Sequence, residues 1–393
     1  MKAKVILATI LVLAASCVKN EVREVSMHGD GQILYNPAPL RSMTTKADVQ
    51  TTKFPTSSKF GSCAWYLPGD NKWDDHHAAA ATATVVPTLY IEPSVISCNG
   101  DQWKAWDSGK SYYWPMNGSL TFISWAPADL LDKVDASNNK LNSVTREEGF
   151  KITNWKMENT PGYGIVPPTS EGGVSTTDPN VDILLSYTKD CTRRNTANGE
   201  VPTVFSHLLC KVKVVATLAK PLGTDEKPRE ITSVTLSNIY TKANYSTYVT
   251  YVEDGANKIK LSKLWREQDV PLDYVYPQAG GTSPSPTMTV TYKANTVIFP
   301  ETMFLPQYLT QDGRTDRPKI SIMLKDSKTP IEGYLYNDEI LNSLSVWNQG
   351  KSITYVITIG NETAEIDFTA KVDGWSEYQD WIKDGISNIV PVQ

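Results

Sequence analysis

Apolar positions in this chain recur mainly at every second residue, in short runs separated by Gly, Pro, Asn and Asp, while helical spacing is scarce. Residues 60–68 alternate and stop at Pro68-Gly69, which predicts a strand entering a turn. Residues 84–86 and 88–91 predict two more strands, broken by Pro87. Residues 111–115 lead through Met116-Asn117-Gly118 into the apolar run 119–125, the pattern of a β-hairpin. Residues 128–200 are poorer in apolar side chains, with 183–187 the one clear buried strand. A stretch of that length marks an insertion or a functional loop. Residues 204–215 then predict a single half-buried antiparallel strand, Lys211 and Lys213 on one face and Val212 and Val214 on the other.

A polar piece holding Pro221, Gly223 and Pro228 predicts a domain boundary near residue 222. Beyond it, strands are expected at 231–240, 246–252, 258–264, 270–276, 287–292, 296–299, 319–324, 333–335, 352–359 and 365–372. Short strands with turn residues between them describe a β-sandwich rather than βαβ units. Residues 338–344 predict a short helix or turn before Trp347. The expected fold class is all-β.

The N-terminus has a different pattern. Lys2 and Lys4 precede an apolar run at 5–15, long enough for a secretory leader and too short to span a bilayer. Ala14, Ala15 and Ser16 stand before Cys17, which predicts a lipobox with Cys17 as the acylated first residue of the mature chain. Alanine occupies the position three before the cysteine, where leucine is commoner. Several acyl chains on one cysteine hold a protein on a membrane where one chain would not. Residues 18–53 read as a polar tether with one strand, Ile33-Leu34-Tyr35, followed by Pro37 and Pro39.

Composition narrows the function classes. A net charge of -5 over 393 residues gives no basic footprint for nucleic acid or anionic lipid. Cys63, Cys98, Cys191 and Cys210 are irregularly spaced, without a CxxC pair, so one disulfide or none is expected and no zinc site. Asp74-Asp75-His76-His77 is the most ligand-like cluster, but four adjacent side chains cannot converge on one ion, and a solvated loop is expected there. His207 lies inside a predicted strand with no nucleophile elbow near it, which points to a packed or hydrogen-bonded structural histidine. Asp129/Asp132 and Glu147/Glu148 are carboxylate pairs that spacing does not place across a cleft, and Gly172-Gly173 and Gly280-Gly281 lack the lysine of a phosphate loop. No catalytic residue, metal or cofactor is predicted. Trp103, Trp106, Tyr112, Tyr113 and Trp114 lie close in sequence, and strand alternation sends at least half of them into the core, leaving a weak case for stacking on sugar rings.

Taken together, five places resemble the fimbrillin family, the type V pilins and related surface lipoproteins of Gram-negative outer membranes. They are the leader with Cys17; Thr45-Lys46-Ala47 ahead of Phe60-Gly61; the Tyr113-Trp114-Pro115-Met116-Asn117-Gly118 hairpin; Asp182-Ile183-Leu184-Leu185 leading to Phe205-Ser206-His207; and a C-terminal series. That series runs through Met303-Phe304-Leu305-Pro306-Gln307, Trp347-Asn348-Gln349-Gly350-Lys351 and Val372-Asp373-Gly374-Trp375. The resemblance implies two tandem transthyretin-like antiparallel β-sandwich domains, at 54–222 and 223–393, after a signal peptide at 1–17 and a tether with a removable strand at 18–53. It implies no enzyme, and assembly by strand exchange after a trypsin-like cut downstream of the lipidated cysteine. The strand to be lost would include Ile33, Leu34 and Tyr35, and the cut would follow Arg41 or Lys46, the family site usually being arginine. The tail at 376–393 would supply a donor strand through Ile386, Ile389, Val390 and Val392. The implied partners are other pilus subunits, the outer membrane through the lipid anchor, and a host or bacterial surface receptor or glycan. A surface glycan-binding lipoprotein that never polymerises is the alternative, and an outer-membrane hydrolase a third reading.

Overall fold

The computed structural model describes residues 31–38, 54–105, 109–133, 137–157, 182–220, 227–248, 251–254, 257–260, 265–277, 287–309, 316–336, 344–360 and 366–374. In chain order the first strands are β1 (Leu34–Ala38), β2 (Phe60–Leu67), β3 (Thr88–Asn99), β4 (Gln102–Lys104), β5 (Ser119–Ala126) and β6 (Asn142–Thr145). Next come β7 (Gly149–Lys156), β8 (Leu184–Cys191), β9 (Glu200–Val204), β10 (Ser206–His207), β11 (Cys210–Leu218) and β12 (Arg229–Ser246). They are followed by β13 (Tyr251–Asp254), β14 (Asn257–Lys260), β15 (Trp265–Tyr276), β16 (Met288–Val290), β17 (Thr296–Phe304) and β18 (Gln307–Tyr308). The last are β19 (Lys319–Leu324), β20 (Ile331–Tyr334), β21 (Val346–Trp347), β22 (Lys351–Ile359) and β23 (Ile366–Gly374). Among the described residues α1 (Trp73–His76) is the one α-helix, so the fold is all-β.

Three larger sheets carry the architecture among the described residues. An eight-stranded sheet has the order β10-β8-β5-β2-β3-β4-β1-β9, and a four-stranded sheet the order β17-β11-β22-β23. A seven-stranded sheet follows the path β20-β19-β12-β7-β6, with β15 and β16 also on β12. Most ladders are antiparallel, as expected, but β1 runs parallel to β9 and β11 runs parallel to β22.

Alternation builds the cores. In β11 and β22 the buried Val212, Val214, Ile353, Tyr355 and Ile357 face Ile231, Val234 and Leu236 of β12 and Ile320 and Ile322 of β19, a sheet-on-sheet core. A second core joins Trp65, Ile123, Trp125 and Leu185 to Phe150, Ile152, Trp155, Tyr245 and Trp265. A third lies inside the eight-stranded sheet, which folds over itself. Tyr35 of β1 sits 5.7 Å from Phe60 and 5.8 Å from Phe122, although β3 and β4 stand between β1 and β2 in sheet order.

Residue 222, the expected boundary, lies outside the described residues. On either side of it strands are shared: β11 pairs with β17 and β22, while β7 pairs with the far end of β12. Strand β12 spans two cores, with Ile231 to Ile239 in one and Ala243 and Tyr245 in the other, and Asn238, near the end of the first stretch, takes a positive φ of 60°.

Other expectations are corrected. Residues 84–85 are bends and Val86 is irregular, so no strand forms there. Residues 111–115 do not form a hairpin arm with β5, which pairs instead with β2 and β8. Pro115 has no N–H to continue a ladder, and the backbone at 112–114 is used elsewhere, against residues 31–33. The single strand expected at 204–215 is three pieces, because Leu208 and Leu209 are both buried and break the alternation between β10 and β11. The helix or turn expected at 338–344 falls, apart from Leu344, outside the described residues.

Candidate functional site: the seat of the first strand

Strand β1 has little intrinsic reason to be ordered: it is Leu-Tyr-Asn-Pro-Ala, with polar chain before it. Its seat orders it. Ile33 and Tyr35 project into the third core, where Ile91, Trp103, Trp114, Phe122 and Val201 surround them. Leu34, on the opposite pleat, is equally buried, the three side chains being 3–4% exposed. Burying an aliphatic side chain of this size contributes about 1.5–3 kcal/mol, so Ile33 and Leu34 are a large part of what holds the strand.

The backbone of this segment is held at three places. Ile33 N–H donates to Tyr112 O at 2.8 Å and Trp114 N–H donates to Gly31 O at 3.0 Å, with Gly31 at φ +75° making the entry turn. Tyr35 pairs with Trp103 of β4, and residues 34–38 run beside 200–204 of β9. In that parallel ladder Asn36 faces Pro202 and Pro37 faces Thr203, so both strands contribute a residue without an N–H donor. The seat is therefore deep in side-chain contacts and short in backbone ladder. Among the described strands β9 has β1 as its one ladder partner, and Thr188 Oγ1 of β8 donates to Pro202 O at 2.8 Å.

Phe54 completes the seat from the far side of the tether. It is 3% exposed, stacked at 5.1 Å on Phe205, and edge-on to Phe60 at 5.6 Å and Trp103 at 5.5 Å. Sequence reading singled out Ile33, Leu34 and Tyr35, and the structure brings Ile33 and Tyr35 together in one core. It missed Phe54, Val201 and Phe205. The available signal was Phe54 itself, a lone aromatic next to a polar run. Burial pushes the Tyr35 hydroxyl above its ordinary range, with Ser62 opposing, so the ring stays neutral.

The remaining predicted positions are dispersed. Cys17, Arg41, Lys46, Ile386, Ile389, Val390 and Val392 lie outside the described residues, as does Trp106. Trp103 and Trp114 are buried and Tyr113 is 47% exposed. Cys63, Cys98, Cys191 and Cys210 are free thiols. His207 is buried against Asp182, as a structural histidine should be. The loop expected at 74–77 is instead the single-turn α1 with His77 after it; the ring of His77 stacks on Tyr248 at 4.1 Å and 7°, and Asp74 pairs with Lys189. Among the described residues no three metal-ligating side chains converge, and no helix is long and apolar enough to cross a membrane.

Comparison with known proteins gives one family. A model described as fimbrillin-like matches residues 69–375, a span that leaves β1 and its tether outside it. No curated protein matches the sequence. Among solved structures the chain is similar to a fimbrial protein from Bacteroides vulgatus, at 17% identity and a TM-score of 0.46, covering 80% of this chain and 92% of that one. It is also similar to the tip fimbrial protein Mfa3 from Porphyromonas gingivalis with C-terminal truncation, at 8% identity and a TM-score of 0.38, covering 88% and 99%.

Proposed function

The chain belongs to the fimbrillin-like family, and from that premise we propose that it is a non-enzymatic cell-surface pilus subunit whose β1 is an exchangeable strand. In this reading the chain is exported as a lipoprotein anchored at Cys17 in the outer membrane. Its body is two sandwich units, the first of which carries the β1 seat. A trypsin-like protease cuts after Arg41 or Lys46 and frees β1. A donor strand from a neighbouring subunit then fills the seat, with the segment holding Ile386, Ile389, Val390 and Val392 as the donor this chain would offer in turn. Adhesion follows from the polymer's display at the surface.

The observation that carries the reading is the construction of the seat. Apolar side chains from Ile33 and Tyr35 fill pockets, while the ladder to β9 is a short parallel one of five residue pairs that includes Pro202 and Pro37. Vacating such a seat exposes an apolar groove beside open strand edges, the kind of template on which strand addition works. The cut sites precede Phe54, so Phe54 would stay with the body and line the emptied groove.

The test is to incubate the purified precursor with an arginine-specific or trypsin-like protease and follow it on a gel. Ladders of higher mass are expected, abolished in the double variant Arg41→Ala, Lys46→Ala. A precursor that is trimmed and remains a monomer at high concentration overturns polymerisation by exchange at this seat.

A further inference from the structure

An open cleft of about 310 Å³ lies away from the β1 seat, between β3 and the turn that joins β6 to β7. Its two walls differ in chemistry. Trp65, Pro87, Leu89 and Pro93 form one, and Leu89 is 52% exposed, a large apolar side chain left at the mouth. Thr145, Arg146 and Glu147 form the other, with Val144 beside them. Arg146 Nε donates to Glu147 Oε1 at 2.8 Å, and this partner holds the Glu147 carboxyl below its ordinary range, so the pair is ionised.

Two features ask for an occupant. The Arg146 side chain is only 13% exposed, and its Nη1 is buried with no hydrogen-bond partner among the described residues. A buried guanidinium donor without an acceptor is costly, and a polar ligand or water offsets that cost. An apolar wall opposite an arginine–carboxylate pair also matches one kind of small molecule closely. A pyranose presents a C–H face to apolar side chains and a rim of hydroxyls to planar charged groups, and the cleft volume is of the size that small-ligand sites have. An extended peptide fits less well. β6 is an edge strand of only four residues, and Pro87 and Pro93 remove N–H donors from the β3 wall, so neither flank offers a long ladder edge.

We propose that this cleft binds one pyranose residue of a surface glycan, with Leu89 and Pro93 against the ring and Arg146 and Glu147 on its hydroxyls. Binding here is independent of strand exchange at β1, so the uncut precursor already has it.

The experiment uses the full-length precursor without its leader. Saturation-transfer NMR and calorimetry are run against methyl β-galactoside, methyl α-mannoside, methyl β-N-acetylglucosaminide and methyl β-glucuronide. At least one glycoside is expected to bind saturably, with Leu89→Glu and Arg146→Gln each weakening it by about tenfold or more. Leu89 is exposed, so Leu89→Glu folds even if Arg146→Gln does not, and Met116→Ser, at a fully exposed site on another turn, leaves binding unchanged. Absence of saturable binding to every glycoside, binding that survives Leu89→Glu, or an apolar peptide that binds where no glycoside does, overturns the proposal.

Discussion

His207 Nδ1 lies 2.8 Å from an Asp182 carboxylate oxygen, and both side chains are fully buried. The pair sits where the chain leaves the eight-stranded sheet: Leu208 N–H donates to Ile183 O, Trp265 Nε1 donates to Leu208 O, and Gly350 N–H donates to Leu209 O. It thus fixes the junction through which β10 passes into β11. Removing the acid leaves the imidazole without that partner in a dry setting. Asp182→Ala is expected to destabilise the chain by about 1–3 kcal/mol, and Asp182→Asn, which keeps an oxygen acceptor, by less. Urea unfolding followed by tryptophan fluorescence measures both; equal losses would contradict the role assigned to the carboxylate as acceptor.

Tyr35 and Phe54 occupy the same core but lie on opposite sides of the expected cut sites. Truncating a buried aromatic costs about 3–5 kcal/mol. Tyr35→Ala and Phe54→Ala are both expected to lower the stability of the uncut precursor by roughly that amount. After trimming and removal of β1, the Tyr35 variant should match wild type while the Phe54 variant stays less stable. Chemical denaturation of cut and uncut chains makes the comparison, and a Tyr35 deficit that persists in the trimmed form would show that β1 had not left.

His77 gives a pH dependence with a definite sign. Desolvation lowers its pKa below 6.5, Asp74 opposing and Lys189 assisting. The unfolded chain therefore takes up this proton first as pH falls. Stability is full above about 6.5 and declines below it until the folded-state value is passed. The ring is half-buried, stacked against Trp73 and Tyr248, and the expected effect is modest. His77→Gln is expected to flatten that part of the stability profile, and the ring C–H resonances in wild type should titrate with a midpoint under 6.5.

The four thiols differ in access. Cys63 and Cys210 are fully buried with pKa values pushed up by desolvation, and Cys191 is pushed up to about 12. Cys98 is half-buried, hydrogen-bonded to Gly100 O. Since the thiolate is the reactive form, an aromatic disulfide reagent should label Cys98 first in the native chain, and the other three at rates that rise together with denaturant. Mass spectrometry of the labelled peptides settles the order.

Strand existence was legible wherever alternation ran unbroken. Lys319–Leu324 was read at its observed bounds, and Lys351–Ile359 within one residue, because each alternates into one core without a bulge. Strand β7 escaped notice. Phe150 and Ile152 follow the two-residue period, but Asn154 at φ 54° inserts a residue so that Trp155 points inward, and the ladder with β12 shifts there. The apolar patch at Ile33-Leu34-Tyr35 was also legible, whereas its surroundings were not. Trp103, Val201 and Phe205 come from far along the chain, and single-sequence periodicity carries no information about which distant strands meet.

The parallel pairing of β1 with β9 joins residues about 165 positions apart. A ribosome adding about 5–20 residues per second needs roughly ten to thirty seconds to make the stretch between them. During that time the earliest strand to emerge has neither Val201 nor Phe205 to pack against. Closing so long a loop is also entropically slow relative to forming hairpins such as β6–β7. Among the described strands β1 is thus first made and, within its own sheet, among the last locked, so every newly synthesised copy passes through a state with an empty seat. Crowded copies of this chain are exposed in that interval to the same intermolecular pairing that an orderly assembly would exploit later.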